Sequence, residues 1–126
     1  FACRQDNLWQ TTCFECFVRE PHHKNYWEMN LSPNGDWNVY HFTDYRENMR
    51  QEDTVFCLQA SSQKTPSSYL LYCRLRDIPP LQANIPLQLG ISCILNSYEG
   101  EKSYWALCHG GSQPDFHLAS SFTLYV

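Results

Sequence analysis

The segment Thr54–Asp77, TVFCLQASSQKTPSSYLLYCRLRD, constrains the fold more than any other stretch of the chain. Two runs rich in strand-forming residues, TVFCLQAS and YLLYCRLRD, flank SQKTPSS, whose Ser, Thr and Pro read as a turn. Each run carries one cysteine near its middle, Cys57 and Cys73. Paired as an antiparallel hairpin, the two runs bring these cysteines within bridging reach. Val55 alternates onto the side of Cys57, and Leu71 and Leu75 onto that of Cys73, so the bridge is expected on an apolar face. Closing a loop of this size contributes roughly 3 kcal/mol on the chain-entropy account of disulfides.

A chain of 126 residues has room for one core, and residues 1–126 are expected to form one domain. Aromatic residues make up 15% and charged residues only 17%, the balance of a globular chain and not a disordered one. Seven cysteines in so short a chain point to an oxidising compartment and a secreted protein. Phe1–Gln10 has neither a basic start nor an apolar run, as expected of a mature chain whose signal has been removed. No apolar run approaches the ~20 residues that a membrane helix needs. The formal net charge of -4 opposes nucleic acid as a main partner, because phosphate binding needs a concentrated basic surface. Arg46, Arg50, Arg74 and Arg76 are too few to make one.

Further along, Asn34-Gly35 is a hairpin signal of the type I′ kind. It is expected to join a strand over Tyr26–Leu31 to one over Trp37–Thr43. Asp44–Asp53 is polar, with only Tyr45 and Met49 as an apolar i, i+4 pair, and reads as a short helix or a surface loop. The prolines of DIPPLQANIP argue against regular structure there. LQLGISCIL and SYWALC are expected to form a second hairpin, turning near Gly100-Glu101 and bringing Cys108 to face Cys93. Phe116–Val126 alternates like a half-buried final strand. Seven or eight short strands imply an all-β, disulfide-stabilised antiparallel sandwich or barrel. Residues 25–126 are its expected core and residues 1–24 an N-terminal arm.

Two hairpin bridges leave Cys3, Cys13 and Cys16. A Cys13–Cys16 bridge closes a very small ring, whereas Cys3 reaches Cys13 or Cys16 if the arm folds back. Cys16 is the preferred partner, which leaves Cys13 as the spare thiol.

Three kinds of chemistry compete for the polar residues. Cys13 and Cys16 with His22 and His23 make a drawable zinc site, although adjacent histidines rarely share a metal and a secreted chain oxidises such thiols. His41, His109 or His117 with Glu47, Glu52 or Asp115 offers a nuclease-like acid–base pair, but no motif fixes their mutual position. A carbohydrate-binding module needs a row of exposed rings, and Tyr26, Trp27, Tyr40, Tyr45, Tyr98, Tyr104 and Trp105 supply candidates. Asn30-Leu31-Ser32 is a glycosylation sequon, crowded by Pro33.

The order of motifs over residues 25–126 resembles the small secreted fungal proteins related to the Alternaria major allergen. Trp37-x-Val39-x-x-Phe42 leads into a loop with Arg46, followed by Cys57 and Cys73, a proline-containing crossing, Cys93 and Cys108, and FHLASSFTLYV. The resemblance implies a compact antiparallel β fold, secretion by a fungus into the host apoplast, and a non-catalytic effector or allergen role through binding a host protein. It also implies a covalent homodimer through an N-terminal cysteine. The three cysteines before residue 17 and the short Asp44–Asp53 loop depart from that pattern. No catalytic residue, cofactor or metal is expected under this reading. The contacts would be carried by the loops Asp44–Asp53 and His109–Asp115, through Tyr45, Arg46, Met49, Arg50, His109 and Gln113. A secreted ribonuclease-like protein and a carbohydrate-binding module are the alternatives.

Overall fold

Alternating side chains along four strands give this chain a sheet that is apolar on both faces, and that decides its architecture. The computed structural model describes residues 2–126. Among them, β1 (Cys13–Arg19), β2 (Tyr26–Leu31), β3 (Trp37–Phe42), β4 (Arg50–Gln51), β7 (Gln88–Asn96), β8 (Lys102–Ala106) and β9 (Leu124–Tyr125) form one antiparallel sheet. Its order is β4-β3-β2-β1-β7-β8, with β9 also on β7. The remaining strands, β5 (Gln59–Lys64) and β6 (Tyr69–Arg74), form a separate two-stranded sheet. The result is β-sandwich-like, in agreement with the all-β expectation.

The register puts Cys16, Val18, Trp27, Met29, Leu31, Trp37, Val39 and Leu89 on one face, where Leu58, Leu71 and Leu75 cover them together with Val55, Ile78 and Leu87. On the other face Phe17, Tyr26, Tyr40, Phe42 and Ile94 pack under Phe116 and Phe122 of the C-terminal segment, with Trp9 at the margin. Fully burying one such aromatic side chain is worth about 1.5–3 kcal/mol. Phe17 stacks on Phe122 at 5.6 Å and meets His117 edge-on at 5.0 Å. Phe122 packs so closely over β7 that a Cβ at Gly90 would lie 2.7 Å from its ring. Because both faces are covered, every residue of β2 and β3 is buried, including Glu28, Asn30 and Asn38.

Several expectations are corrected. Residues 13–19 are not part of an arm: β1 lies between β2 and β7 at the heart of the sheet. Strands β2 and β3 match their expected spans to within a residue, but only Gly35 of the connecting pair is left-handed (φ 93°), so the turn is not type I′. Pro79–Gln82 forms one helical turn, α1, with proline at positions that need no amide donor. The C-terminal strand shrinks to β9, after a 3-10 turn at Ala119–Ser121, because Phe116 and Phe122 turn inward as a lid.

The disulfide framework is corrected as well: Cys3, Cys13, Cys16, Cys57, Cys73, Cys93 and Cys108 are all free thiols. Cys57 precedes β5, and Cys73 lies opposite Ala60, so the Cys57–Cys73 bridge misses by register. Cys93 lies opposite Trp105, while Cys108 falls beyond β8 with its Sγ 3.8 Å from the Ser120 carbonyl. Cys3 is engaged at Asp36, its amide donating to Oδ1 at 3.0 Å, while Cys16 lies within β1 and is itself a free thiol.

Candidate functional site

On the face covered by the C-terminal segment, the sheet is not uniformly apolar. Glu15 of β1 and Glu28 of β2 point to that side beside Asn30, which lies directly across from Glu15 in the β1–β2 register. They floor a cleft of about 360 Å³, within the range of small-molecule sites. Trp9, Phe42, Tyr104 and Phe116 wall it, and Arg46, Met49, Pro114 and His117 form its rim. Each contributor has a separate origin in the chain. The 3-10 turn Leu8–Gln10 brings in Trp9, which meets Tyr40 edge-on at 5.9 Å. Asp6 anchors that segment, accepting from the Tyr40 hydroxyl at 2.7 Å and from Asn38 Nδ2 at 3.1 Å.

The rim is where the two loops singled out in the sequence meet. Arg46 Nη2 donates to Asp115 Oδ1 at 2.9 Å, and the Tyr45 hydroxyl donates to Asp115 Oδ2. Although burial works the other way, these bonds hold the Asp115 carboxyl below its ordinary range. Tyr26 Oη accepts from the Arg46 amide at 3.1 Å and bonds His117 Nδ1 at 2.7 Å, fixing the loop on the sheet.

The electrostatics of the floor are unusual. Burial pushes the Glu15 carboxyl well above the ordinary carboxylate range, and the neighbouring Glu28 adds to the shift. Burial does the same to Glu28, against easing from Asn30 and Arg46. His117 Nε2 lies 3.6 Å from Glu28 Oε2. Burial, and then Arg46, hold that imidazole down at about 4, so at neutral pH the pair is not an ion pair of two full charges. Asn30 is fully buried, and neither end of its side-chain amide makes a hydrogen bond of good geometry. The Ser92 hydroxyl beside Glu15 is in the same position.

The other sequence candidates fall elsewhere. Arg46 and Met49 join the site and Tyr45 reaches its edge through Asp115, whereas Arg50 sits on β4 opposite His41, at the other face. His109 stacks on Phe116 at 6.0 Å, behind the wall, and Gln113 is exposed on the loop. The zinc set cannot assemble, because Cys13 and Cys16 are three positions apart on one strand and point to opposite faces. Burial pushes the Cys16 thiol up to about 12. The nuclease set splits between two places: His41 packs on Trp27 at 4.7 Å on the hairpin side, where Glu52 accepts from Trp27 Nε1 at 2.7 Å. His117 and Asp115 stand together at the rim of the cleft, the His117 amide donating to Asp115 Oδ1 at 3.1 Å. Glu47 stays in the surface turn, where its amide and carbonyl close bonds with Asp44 and Thr43. Of the candidate rings, Tyr26, Trp27 and Tyr40 are buried, and Tyr104 reaches the cleft. Trp105 and Tyr98 are exposed away from it. Asn30, buried at the base of the site, is not accessible to glycosylation in the folded chain.

Sequence reasoning missed Glu15, Glu28, Asn30, Trp9 and Phe116. The available signal was a polar residue inside an otherwise apolar and aromatic strand: Glu15 in CFECFV, Glu28 and Asn30 in YWEMNL, and Asn38 in WNVYHF. A neighbouring depression of about 500 Å³ collects Arg19, His22, His23, Lys24 and Asp44 beyond His117, but it is built largely from surface loops and has no buried acid.

No protein-family model and no curated protein matches the chain. Among solved structures, a "putative carbohydrate-binding protein" from Bacteroides uniformis is similar, with a TM-score of 0.63 and 13% identity. The match covers 92% of this chain and 61% of the Bacteroides chain, so this chain spans about three-fifths of its neighbour. At that identity the likeness establishes a shared β fold.

Proposed function

We propose that the protein binds a carbohydrate in the cleft between the C-terminal segment and β1–β2. The observation that carries this reading is the pairing of aromatic walls with a polar floor. Sugar rings present apolar C–H faces that stack on aromatic rings, and hydroxyl rims that donate to carboxylates and amides. Trp9 and Tyr104 offer the first kind of surface, and Glu15 and Glu28 the second. The fold-level likeness to a protein described as carbohydrate-binding is consistent with the module alternative from the sequence, and stands as analogy only. The fungal effector reading, with its host-protein partner, draws no support from the fold or the comparisons. The two loops it singled out form part of the rim of this cleft.

The test is affinity electrophoresis through gels containing soluble glycans, followed by titration with oligosaccharides of any class that retards the protein. Trp9→Ala and Tyr104→Ala should abolish retardation, and Trp105→Ala, on the opposite face, should leave it unchanged. Retardation lost in Trp105→Ala but kept in the other two would move the site to the hairpin face and overturn the proposal.

A further inference from the structure

The floor of the cleft holds two acids for which its surroundings provide no full cationic partner. Glu15 is 5% exposed and Glu28 3% exposed, and they sit on adjacent strands on the same face. Glu15 lines the cleft and closes no ion pair among the described residues. One guanidinium lines the cleft, that of Arg46, and its Nη2 is bound to Asp115 at 2.9 Å. His117 is the other nitrogen base at the rim, and its Nδ1 is bound to the Tyr26 hydroxyl. Directly across from Glu15, Asn30 is fully buried with both its amide oxygen and its amide nitrogen unpartnered.

Held away from water and beside each other, the two carboxyl groups are costly to ionise, and burial with mutual repulsion keeps them largely protonated at neutral pH in the empty site. A neutral sugar would leave that cost in place, because its hydroxyls donate hydrogen bonds but bring no charge. An ammonium group would remove it. Its N–H donors are shared between the two carboxylates, and its charge is further favoured by the aromatic faces around it.

We infer that the cleft selects a carbohydrate bearing a free amine, a hexosamine-type sugar whose ammonium sits between Glu15 and Glu28 while its ring lies along Trp9 and Tyr104. This rests on the carbohydrate reading above and adds the charge of the ligand to it. The N-acetylated form of the same sugar is neutral, carries a bulkier amide, and is the discriminating competitor.

Calorimetric titration with glucosamine oligomers, their N-acetylated counterparts, glucose oligomers of equal length, and a non-sugar diamine decides the matter. The glucosamine series is expected to bind at least tenfold more tightly than either neutral series and than the diamine. Glu15→Gln and Glu28→Gln should each remove most of that preference, while thermal melts show the fold intact. Equal or tighter binding of the neutral oligomers would overturn the amine inference and leave the carbohydrate reading standing. Binding of the diamine as tightly as the glucosamine oligomers, with no neutral sugar bound, would overturn both. A preference that survives both Gln variants would place the ammonium outside this cleft and overturn the inference even without loss of binding.

Discussion

Arg46 Nη2 and Asp115 Oδ1, 69 positions apart in the chain, meet at 2.9 Å and so tie the loop after β3 to the loop after β8 across the mouth of the cleft. The guanidinium is about half exposed. Such a pair contributes under about 1 kcal/mol to global stability, being screened by solvent. Its effect should instead be local. Arg46→Ala and Asp115→Ala should each weaken glycan binding several-fold while shifting urea midpoints little. A double-mutant cycle should show the two losses to be non-additive. Additive losses would mean that the loops act independently.

The buried acids make stability depend on pH. Glu15 and Glu28 have raised folded-state pKa values, so their contribution is fully present below 4.5 and is lost as pH rises through neutrality. His117 runs the other way: its pKa is depressed to about 4, so its contribution is present above 6.5 and lost as pH falls towards 4. Urea unfolding at a series of pH values should therefore give maximal stability in the mildly acidic range and a decline from pH 6 to 8. Glu28→Gln should flatten that alkaline decline. An unchanged slope in the variant would show that the carboxylates are not the titrating groups.

Phe17 is fully buried between the sheet and the C-terminal segment, stacked on Phe122 and edge-on to His117. Phe17→Ala should cost about 3–5 kcal/mol by denaturant unfolding, as a truncation that leaves a cavity does. Trp105→Ala should cost less than about 1 kcal/mol, because 59% of that residue is exposed. Comparable losses in the two would contradict the assignment of the core.

Cys73 Sγ lies 3.4 Å from Met29 Sδ, and Met29 stands opposite Cys16 in the β1–β2 register. Burial pushes the Cys73 thiol up to about 11 and that of Cys16 up to about 12, so both are protonated and slow to react. Prolonged treatment with diamide, which takes up the two electrons and two protons that a pair of thiols gives up, should couple Cys73 to Cys16, but only after the exposed Cys3 and Cys57 have reacted. Non-reducing peptide mapping checks this. A Cys57–Cys73 product would show that the hairpin register is shifted from Ala60↔Cys73.

The sequence alone determined the β class and the spans of β2 and β3, because alternation and a glycine turn are local properties that survive any tertiary arrangement. It also identified Asp44–Asp53 and His109–Asp115 as the loops to watch, since their polarity excludes them from a core. Only the tertiary structure decided the rest. Which cysteines face each other depends on register, and a shift of one residue turns a side chain to the opposite face of the sheet. That is why Cys73 meets Met29 and not Cys57. The central place of β1 was hidden because its partners, β2 and β7, lie on either side of it in the sheet but far apart in the sequence. The cleft was hidden for the same reason. Glu15 fell in the expected N-terminal arm and Glu28 in a separate strand, and only when β1 pairs with β2 and the C-terminal segment folds Phe116 and Phe122 over their face do the two meet.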